Sequence, residues 1–224
     1  MPRQCLTQTR LRKNNVKFYD CKTAPSPRRV RIFAAEKGVE LQTIAIDLAS
    51  GEQFRPEFRQ INPDCVVPVL ELDDGTRITE VLAICQYLEE QHPEPTLFGH
   101  TAVERAVTLM WNVKVEQQGF MAAADAFRNA AKGLKNHALP GTEQYAQIPE
   151  LAERGRRRIT TFFEKINRQL IDHEFLTGDQ FTIADISALV VVDFAARLKM
   201  NIADNATDLR RWHDAVSSRP SASA

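Results

Sequence analysis

The first half of the chain carries apolar residues in short runs and at helical spacing, which together predict an α/β unit. Residues 16–19 and 42–48 are predicted strands, since apolar residues dominate or alternate there. Between them Ser26 precedes Pro27, so Ser26 is the predicted N-cap of a helix that begins at Pro27 and stops at Gly38. The segment is therefore a predicted βαβ unit with parallel strands. The polar faces of its helix are assigned to Arg28, Arg29, Arg31 and Glu36.

The following segment predicts a strand, a hairpin, a second strand and a helix. Residues 66–72 form an apolar run with Pro68 near its start, where a missing N–H is tolerated. Asp73-Asp74-Gly75 is a predicted turn, because Asp and Gly accept positive φ at low cost. Thr79 is the predicted N-cap of the next helix. With a short helix at 56–61, the predicted element order is β-α-β-α-β-β-α.

The second half of the chain shows only helical periodicity. Residues 92–99 contain two prolines and a glycine and are predicted to be a linker between two domains. Thr182 and Asp185 have the spacing of a capping box, with Phe181 and Ile186 placed as a hydrophobic staple. The predicted helices cover residues 102–129, 148–172, 183–198 and 208–217.

Composition and charge narrow the functional classes. The 224 residues are 43% hydrophobic and 26% charged, as in an ordinary globular protein, and Lys+Arg and Asp+Glu are both 29. No overall field therefore favours nucleic acid or an anionic membrane. Arg154 and residues 156–158 form the densest basic run, which we interpret as a solvated helix face because no aromatic residues alternate with it.

Cysteine usage and the first residues favour a cytoplasmic protein without a metal. Cys5, Cys21, Cys65 and Cys85 are scattered and have no His at metal-ligand spacing, so no metal site is predicted. Residues 1–15 are polar and basic and are predicted to be a flexible extension, not a secretory signal. No run approaches the roughly 18 apolar residues of a membrane span. A reducing cytoplasm is the expected location.

These motifs resemble those of the cytosolic glutathione transferases. Val67-Pro68 occupies the position of that family's cis-proline, and Thr79-Glu80 the position of the acidic residue that receives the γ-glutamyl group. Thr182-Ile183-Ala184-Asp185 matches the T-x-A-D cap of their helical C-terminal domain. The resemblance covers about residues 16–220. It implies an N-terminal extension at 1–15, a thioredoxin-like glutathione-binding domain at 16–98 and an all-helical domain at 101–220.

The resemblance implies an enzyme that activates the thiol of glutathione, its cosubstrate. A free thiol has a pKa of roughly 8.5, so a helix N-terminus and a hydroxyl must stabilise the thiolate. Ser26 is the predicted catalytic hydroxyl, as in bacterial members with a Pro-Ser or Pro-Asn loop, and a mere helix cap is the competing interpretation. Ser- or Cys-dependent classes place the catalytic side chain earlier, where this chain has Ala24 and Pro25. Thr23 is the second candidate, and Cys21 is interpreted as structural.

The resemblance also assigns the remainder of the glutathione site. It places Gln53 near the glycine end, the backbone of Val67 against the cysteinyl part, and Glu80 with the N–H of Val81 at the γ-glutamyl end. The family often has a polar residue at the position of Val66 and a Ser or Thr at the position of Val81, so both valines are departures from the pattern. The residues expected to hold a small hydrophobic electrophile are Trp111, Phe120, Met121 and Phe127.

Two classes of function remain open at this stage. The first is a glutathione transferase acting in detoxification, with conjugation, disulfide reduction or peroxide reduction as its reaction. The second is a transferase-like binding protein with little turnover, for which the two valines are the argument. An isomerase of the maleylacetoacetate type is a weaker third interpretation, because the loop lacks that class's Ser-Ser-Cys pattern. The resemblance further implies a homodimer that acts on small molecules, with no nucleic acid or membrane partner.

Overall fold

The computed structural model describes residues 16–224, so the predicted extension at 1–15 lies outside the described residues. The described chain combines a thioredoxin-like α/β part with an all-helical part, which confirms the predicted fold class. The domain limits of 16–98 and 101–220 stay a prediction. One continuous hydrophobic core runs through both parts, from Phe18 on the sheet to Trp212 near the end of the chain.

The α/β part is a four-stranded mixed sheet with helices. Its strand order is β2-β1-β3-β4, with β1 parallel to β2 and the other two pairs antiparallel. The buried, branched and aromatic residues of β1 and β3 explain why these two strands are central. The elements are β1 (Lys17–Asp20), α1 (Pro25–Glu36), β2 (Gln42–Ala45), a 3₁₀ turn (Glu52–Phe54), α2 (Pro56–Ile61), β3 (Val69–Glu71), β4 (Arg77–Thr79) and α3 (Val81–Gln91).

The second part of the described chain is helical throughout. Its most apolar helix, α7, is buried along nearly its whole length. Its elements are α4 (Ala102–Lys114), a π-helical segment (Val115–Phe120), α5 (Met121–Arg128), a 3₁₀ turn (Lys132–Leu134), α6 (Pro149–Leu170), α7 (Ile183–Arg197), α8 (Thr207–Ser217) and a last 3₁₀ turn (Pro220–Ser223).

Two predicted helix starts are wrong by one or two residues. Helix α1 begins at Pro25 with Ala24 as its extended N-cap, so Ser26 is the second helical residue and not the cap. Because the first N–H groups of a helix have no internal partner, Pro25 and Pro27 both fit in this first turn. Helix α3 is preceded by Glu80, whereas Thr79, its predicted cap, is the last residue of β4.

The helix predicted over residues 102–129 is interrupted by the π-helical segment. Within it Gly119 meets α6 closely, since a Cβ at this position would lie 2.7 Å from the ring of Phe162. On the facing helix Gly155 is equally constrained, because its Cβ would lie 2.6 Å from the carbonyl oxygen of Ala122. The two glycines therefore allow α6 to pack directly against the backbone of this interrupted helix. A π-helical turn contains about one residue more than an α-helical turn. The side chains that follow it therefore face a different direction from those of α4.

The linker between the two parts is fixed by a buried ion pair. The ammonium of Lys37, completely buried, contacts the carboxylate of Glu89 and donates to the carbonyl oxygens of Pro93 and Pro95. Glu89 in turn accepts from Thr96 Oγ1 at 2.6 Å and from the N–H of Leu97 at 3.1 Å. Both charges are thus supplied with partners, which a buried ion pair requires. The chain is thereby held against the α/β part where it leaves α3.

Asp185 joins three parts of the helical region and confirms the predicted capping box. Its carboxylate accepts from the N–H and hydroxyl of Thr182, from the N–H of Leu176 at 2.9 Å and from Trp212 Nε1 at 3.0 Å. Complete burial raises the pKa of Asp185 to about 6, so the group is ionised at neutral pH and uses these donors. One side chain therefore ties α7 to α8 and to the loop before it.

We expect Asp185→Asn to lower the free energy of unfolding by about 3 kcal/mol. The amide keeps the shape but replaces one acceptor oxygen with a donor, leaving buried N–H groups unpaired. The control is Glu104→Gln in the exposed capping box of α4, where water replaces the lost contact and about 0.5–1 kcal/mol is expected. Urea unfolding measures both variants. Equal losses would contradict the importance of the buried carboxylate.

Candidate active site

The loop between β1 and α1 places Ser26 at a helix N-terminus with few free N–H groups. The N–H of Ala24 donates to the carbonyl of Cys21 at 2.9 Å, which closes a tight turn. Pro25 and Pro27 have no N–H, so Ser26 supplies the free N–H of the first three helical residues. Its hydroxyl lies half-buried at the same end. Ser26 therefore offers both an N–H and an O–H at the positive end of α1.

Three of the predicted site segments meet at one edge of the sheet. In the observed registers, Val69 lies opposite Tyr19 of β1 on one side and Thr79 of β4 on the other. Continued by two residues, these registers bring Val67 between Cys21 and Val81. The loop that enters α1, the segment before β3 and the start of α3 thus lie side by side. The strand registers do not determine the position of Gln53, because this residue lies in the connection between β2 and α2.

The Val67-Pro68 peptide bond is cis, as the resemblance implied. The turn that leads to it is fixed by the buried side chain of Asn62, which donates to the carbonyl of Val66 at 2.8 Å and accepts from the N–H of Asp64 at 3.1 Å. Val67 itself is half-buried. A second cis bond, Glu94-Pro95, lies in the linker and was not predicted.

Glu80 and Val81 differ in what they present to a ligand. Glu80 adopts φ 65° and ψ 127°, and its exposed side chain does not cap α3. A non-glycine residue with positive φ is uncommon and is frequent at functional sites. The side chain of Val81 is packed in the core, so only its N–H, one of the unpaired groups at a helix start, remains for a ligand.

Gln53 presents a buried, unsatisfied oxygen. It lies in the 3₁₀ turn that follows Gly51, a residue with φ 77°. Its Oε1 is inaccessible to solvent and accepts no hydrogen bond from any residue in the described part of the chain. Unpaired buried acceptors of this kind are rare and call for a partner.

A narrow cleft opens beside this helix terminus, between the entering loop and α7. Arg28 reaches across it to Asp193 at 2.6 Å, and Arg197 donates to the carbonyl of Thr23 at 3.1 Å. Burial opposes ionisation of Asp193, but hydrogen bonds from His213 and Arg28 hold its pKa below the ordinary value. Asp193 is therefore an anion that anchors Arg28. The cleft is lined by Lys22, Thr23, Ala24, Pro25, Arg28, Val190, Phe194 and Arg197.

The residues predicted to hold an electrophile have different positions. Trp111 is a core residue, whereas Met121 is largely exposed. Phe120 and Phe127 form an aromatic cluster with Phe194, whose ring centroid lies 6.5 Å and 5.5 Å from theirs. Phe194 was not predicted, because the buried pattern of α7 gives it no special status. It is the member of the cluster that lines the cleft.

The other thiols and ionic groups contribute little to this site. Cys21 is half-buried with its sulfur 3.5 Å from Thr23 Oγ1, which is exposed. Burial raises the pKa of the Cys85 thiol far above its usual range, so it is an inert core residue. Between residues 16 and 224, no three His, Cys, Asp or Glu side chains are grouped to hold a metal ion. No helix in that range is long and apolar enough to cross a membrane.

Comparison with known proteins defines the family. The model of the glutathione S-transferase N-terminal domain matches residues 23–91, and that of the C-terminal domain matches residues 119–220. The chain belongs to the glutathione S-transferase family, which confirms the predicted family and the predicted glutathione transferase activity.

Its similar relatives include both transferases and an oxidoreductase. Glutathione S-transferase 2 of Saccharomyces cerevisiae is 35% identical over 93% of this chain and 88% of that protein. The disulfide-bond oxidoreductase YfcG of Escherichia coli is 30% identical over 88% and 89%. Among solved structures, a glutathione S-transferase domain-containing protein of Marinobacter aquaeolei is 36% identical, has a TM-score of 0.85, and covers 92% of this chain and 98% of its own.

We expect Phe194→Ala to raise the KM for an aromatic electrophile several-fold and to leave the KM for glutathione unchanged. The ring is an apolar wall of the cleft, and its loss removes part of the surface available to a hydrophobic substrate. Ile171→Ala, an exposed apolar residue at the end of α6, is the control and should change neither value. Steady-state kinetics with both substrates varied measures the effect. An equal rise of both KM values would show a general distortion of the site.

Proposed function

We propose that this glutathione transferase activates the thiol of glutathione at the N-terminus of α1, with Ser26 as the catalytic residue. The observation that carries the proposal is the meeting of the α1 loop, Val67 and Glu80 at one edge of the sheet. Ser26 provides its hydroxyl and N–H at the positive end of the helix dipole. A shift of about two pK units, about 2.7 kcal/mol, makes most of the bound thiol a thiolate at neutral pH. The proton leaves to solvent, and the thiolate sulfur attacks the electrophilic carbon of the second substrate, whose leaving group, such as the halide of an aryl halide, departs with the bonding electron pair.

The remainder of glutathione extends away from the thiol over the predicted residues. The carboxylate of Glu80 binds the ammonium of the γ-glutamyl group, and the N–H of Val81 donates to its carboxylate. The backbone of Val67 pairs with the cysteinyl unit, next to cis-Pro68. Gln53 lies near the glycine end of glutathione, as the family resemblance implies. These four assignments rest on the resemblance and on the exposed or unpaired groups described above.

The second substrate is a small hydrophobic electrophile, and the aromatic cluster of Phe120, Phe127 and Phe194 is the apolar surface that supports this assignment. Disulfide reduction is the second candidate reaction, and its support is the 30% identity with a disulfide-bond oxidoreductase. Cosubstrate use of glutathione requires no metal. We also propose a cytoplasmic location, for which Cys21, Cys65 and Cys85 as free thiols are the supporting observation.

A transferase-like protein with little turnover is the alternative. Its support is Val81, whose apolar side chain in the core offers no hydroxyl to the γ-glutamyl carboxylate. Retention on immobilised glutathione, followed by turnover of an aryl halide and of a disulfide, separates the possibilities. Retention with turnover of either substrate supports the proposed function. Retention without turnover favours the alternative.

We further propose a homodimer in which α4 contributes to the contact. Val103, Met110 and Val113 recur on one side of α4 with Ala106 between them, at spacings of three and four residues, and all four are exposed. An exposed apolar stripe of this kind indicates a protein contact. A second copy of the chain is the occupant in this proposal, which also rests on the family resemblance.

We expect Ser26→Ala to raise the pKa of bound glutathione by about one unit and to lower turnover at neutral pH about threefold. The variant loses a donor to the thiolate, while its stability changes little because Ala24, and not Ser26, caps α1. Thr23→Val is the matched control for loss of a hydroxyl in the loop. Thiolate absorbance against pH gives the pKa values. A shift with Thr23→Val alone would transfer the role to Thr23.

We expect Met110→Asp to convert the dimer to a monomer. A carboxylate in a buried apolar contact loses its hydration and finds no partner, so association weakens strongly. Ile171→Asp places the same charge on an exposed apolar residue outside the stripe and should leave the dimer intact. Light scattering at micromolar concentration gives the mass of each form. A monomeric wild type, or a dimeric Met110→Asp form, would rule out this contact.

A further inference from the structure

Arg29 is a buried cation next to the proposed catalytic hydroxyl. The sequence placed it on a polar face of α1, but the structure leaves only 4% of the residue exposed. Its Nη1 pairs with Glu116 of the π-helical segment, and its Nη2 lies 3.5 Å from Ser26 Oγ, one turn earlier on the same helix. The ring of Phe120 covers the guanidinium, with its centroid at 4.2 Å. The Arg29 side chain thus connects the helical part of the protein to Ser26.

We propose that Arg29 is a positioning residue that aims the Ser26 hydroxyl at the glutathione sulfur. This inference rests on the proposed function. Arg29 Nη2 can only donate, so Ser26 Oγ is the acceptor in this 3.5 Å contact, and its O–H is left to donate to a bound sulfur. A serine hydrogen otherwise rotates freely between acceptors. A fixed O–H that faces the thiolate contributes to its stabilisation without a rearrangement on binding.

The neighbours of Arg29 fix this geometry and leave one of its buried N–H groups without an acceptor among the described residues. Glu116 and Phe120 are four residues apart in the π-helical segment, and they hold the guanidinium from its edge and its face. Arg29 Nε is buried and meets no acceptor among residues 16–224. The Glu116 carboxylate is partly exposed, so solvent screens it more than it screens Arg29.

A positioning role of Arg29 can be distinguished from a purely structural one, because the chain contains a second ion pair of similar construction. Arg219 also pairs across the two parts of the protein, with Glu36 at the other end of α1, and its guanidinium lies 4.1 Å from the ring centroid of Phe181. Like Arg29, it has an ion pair and an aromatic ring over its guanidinium, but it contacts α1 at Glu36, the end of the helix opposite Ser26. Arg219→Lys therefore reports the cost of the substitution alone.

The test compares Arg29→Lys, Ser26→Ala and the double variant, with Arg219→Lys as the control. Lysine keeps the positive charge that pairs with Glu116, but it lacks the second guanidinium nitrogen that contacts Ser26. The pKa of glutathione bound to each full-length protein is read from thiolate absorbance, and unfolding is measured in parallel. We expect Arg29→Lys to raise this pKa by about one unit, which lowers the thiolate fraction at neutral pH about threefold. In the Ser26→Ala background the same substitution should add little.

The possible outcomes separate this inference from the function on which it rests. An unchanged thiol pKa in Arg29→Lys, with a stability loss like that of Arg219→Lys, would overturn the positioning role. Fully additive shifts in the double variant would overturn it too, because Arg29 would then act without Ser26. A wild type that does not bind glutathione, or binds it with an ordinary thiol pKa, would overturn the proposed function itself. If Arg29→Lys does not fold, Glu116→Asp draws the guanidinium from Ser26 and should raise the same pKa.

Discussion

Helix α1 is held between the two parts of the protein by three ion pairs, and the geometry of the site depends on this arrangement. Arg28 pairs with Asp193 of α7, Arg29 with Glu116 of the π-helical segment, and Glu36 with Arg219 near the C-terminus. All three pairs are partly or largely buried, so solvent screens them less than surface pairs. Ser26 lies in the first turn of α1. The helical part of the protein therefore helps to set the position of the Ser26 hydroxyl.

The fixed position of α1 also depends on buried charges elsewhere that are fully supplied with partners. Lys37, just beyond the end of α1, uses Glu89 and two linker carbonyls, and Asp185 uses four donors from α7, α8 and the preceding loop. Removing one partner from such a group leaves an uncompensated buried charge, which costs more than the pair contributed. These groups therefore specify one arrangement of the linker and the helices.

Local signals in the sequence were sufficient for the elements and for most of the fold. The hairpin at Asp74, the capping box at Thr182 and the alternation in β2 each depend on neighbours a few residues away. Helix α1 started earlier than predicted because two prolines fit equally well in one first turn, and spacing alone cannot choose between them. The order of strands and the family resemblance together support the proposed glutathione site.

The pattern of apolar and polar residues did not predict features that depend on contacts between distant segments. An arginine in a polar stripe is normally solvated, and only the approach of Glu116 and Phe120 makes Arg29 a buried residue. The same holds for Phe194, one apolar residue among many in α7 until the loop at Thr23 lies against it. The π-helical segment has no sequence signal of its own. Its Gly119 lies so close to Phe162 that a larger side chain would not fit, a contact between residues 43 positions apart in the sequence.

The two prolines in the first turn of α1 have a consequence for selectivity among anions. A helix terminus normally binds phosphate or sulfate through several N–H groups that converge on the oxygens. Here Pro25 and Pro27 remove two of those groups, and the N–H of Ala24 is already used by Cys21. A single N–H and a hydroxyl suit one large, polarisable sulfur atom better than an oxyanion with several oxygens to satisfy. The inorganic anions that are abundant in cells are therefore poor competitors for this helix end.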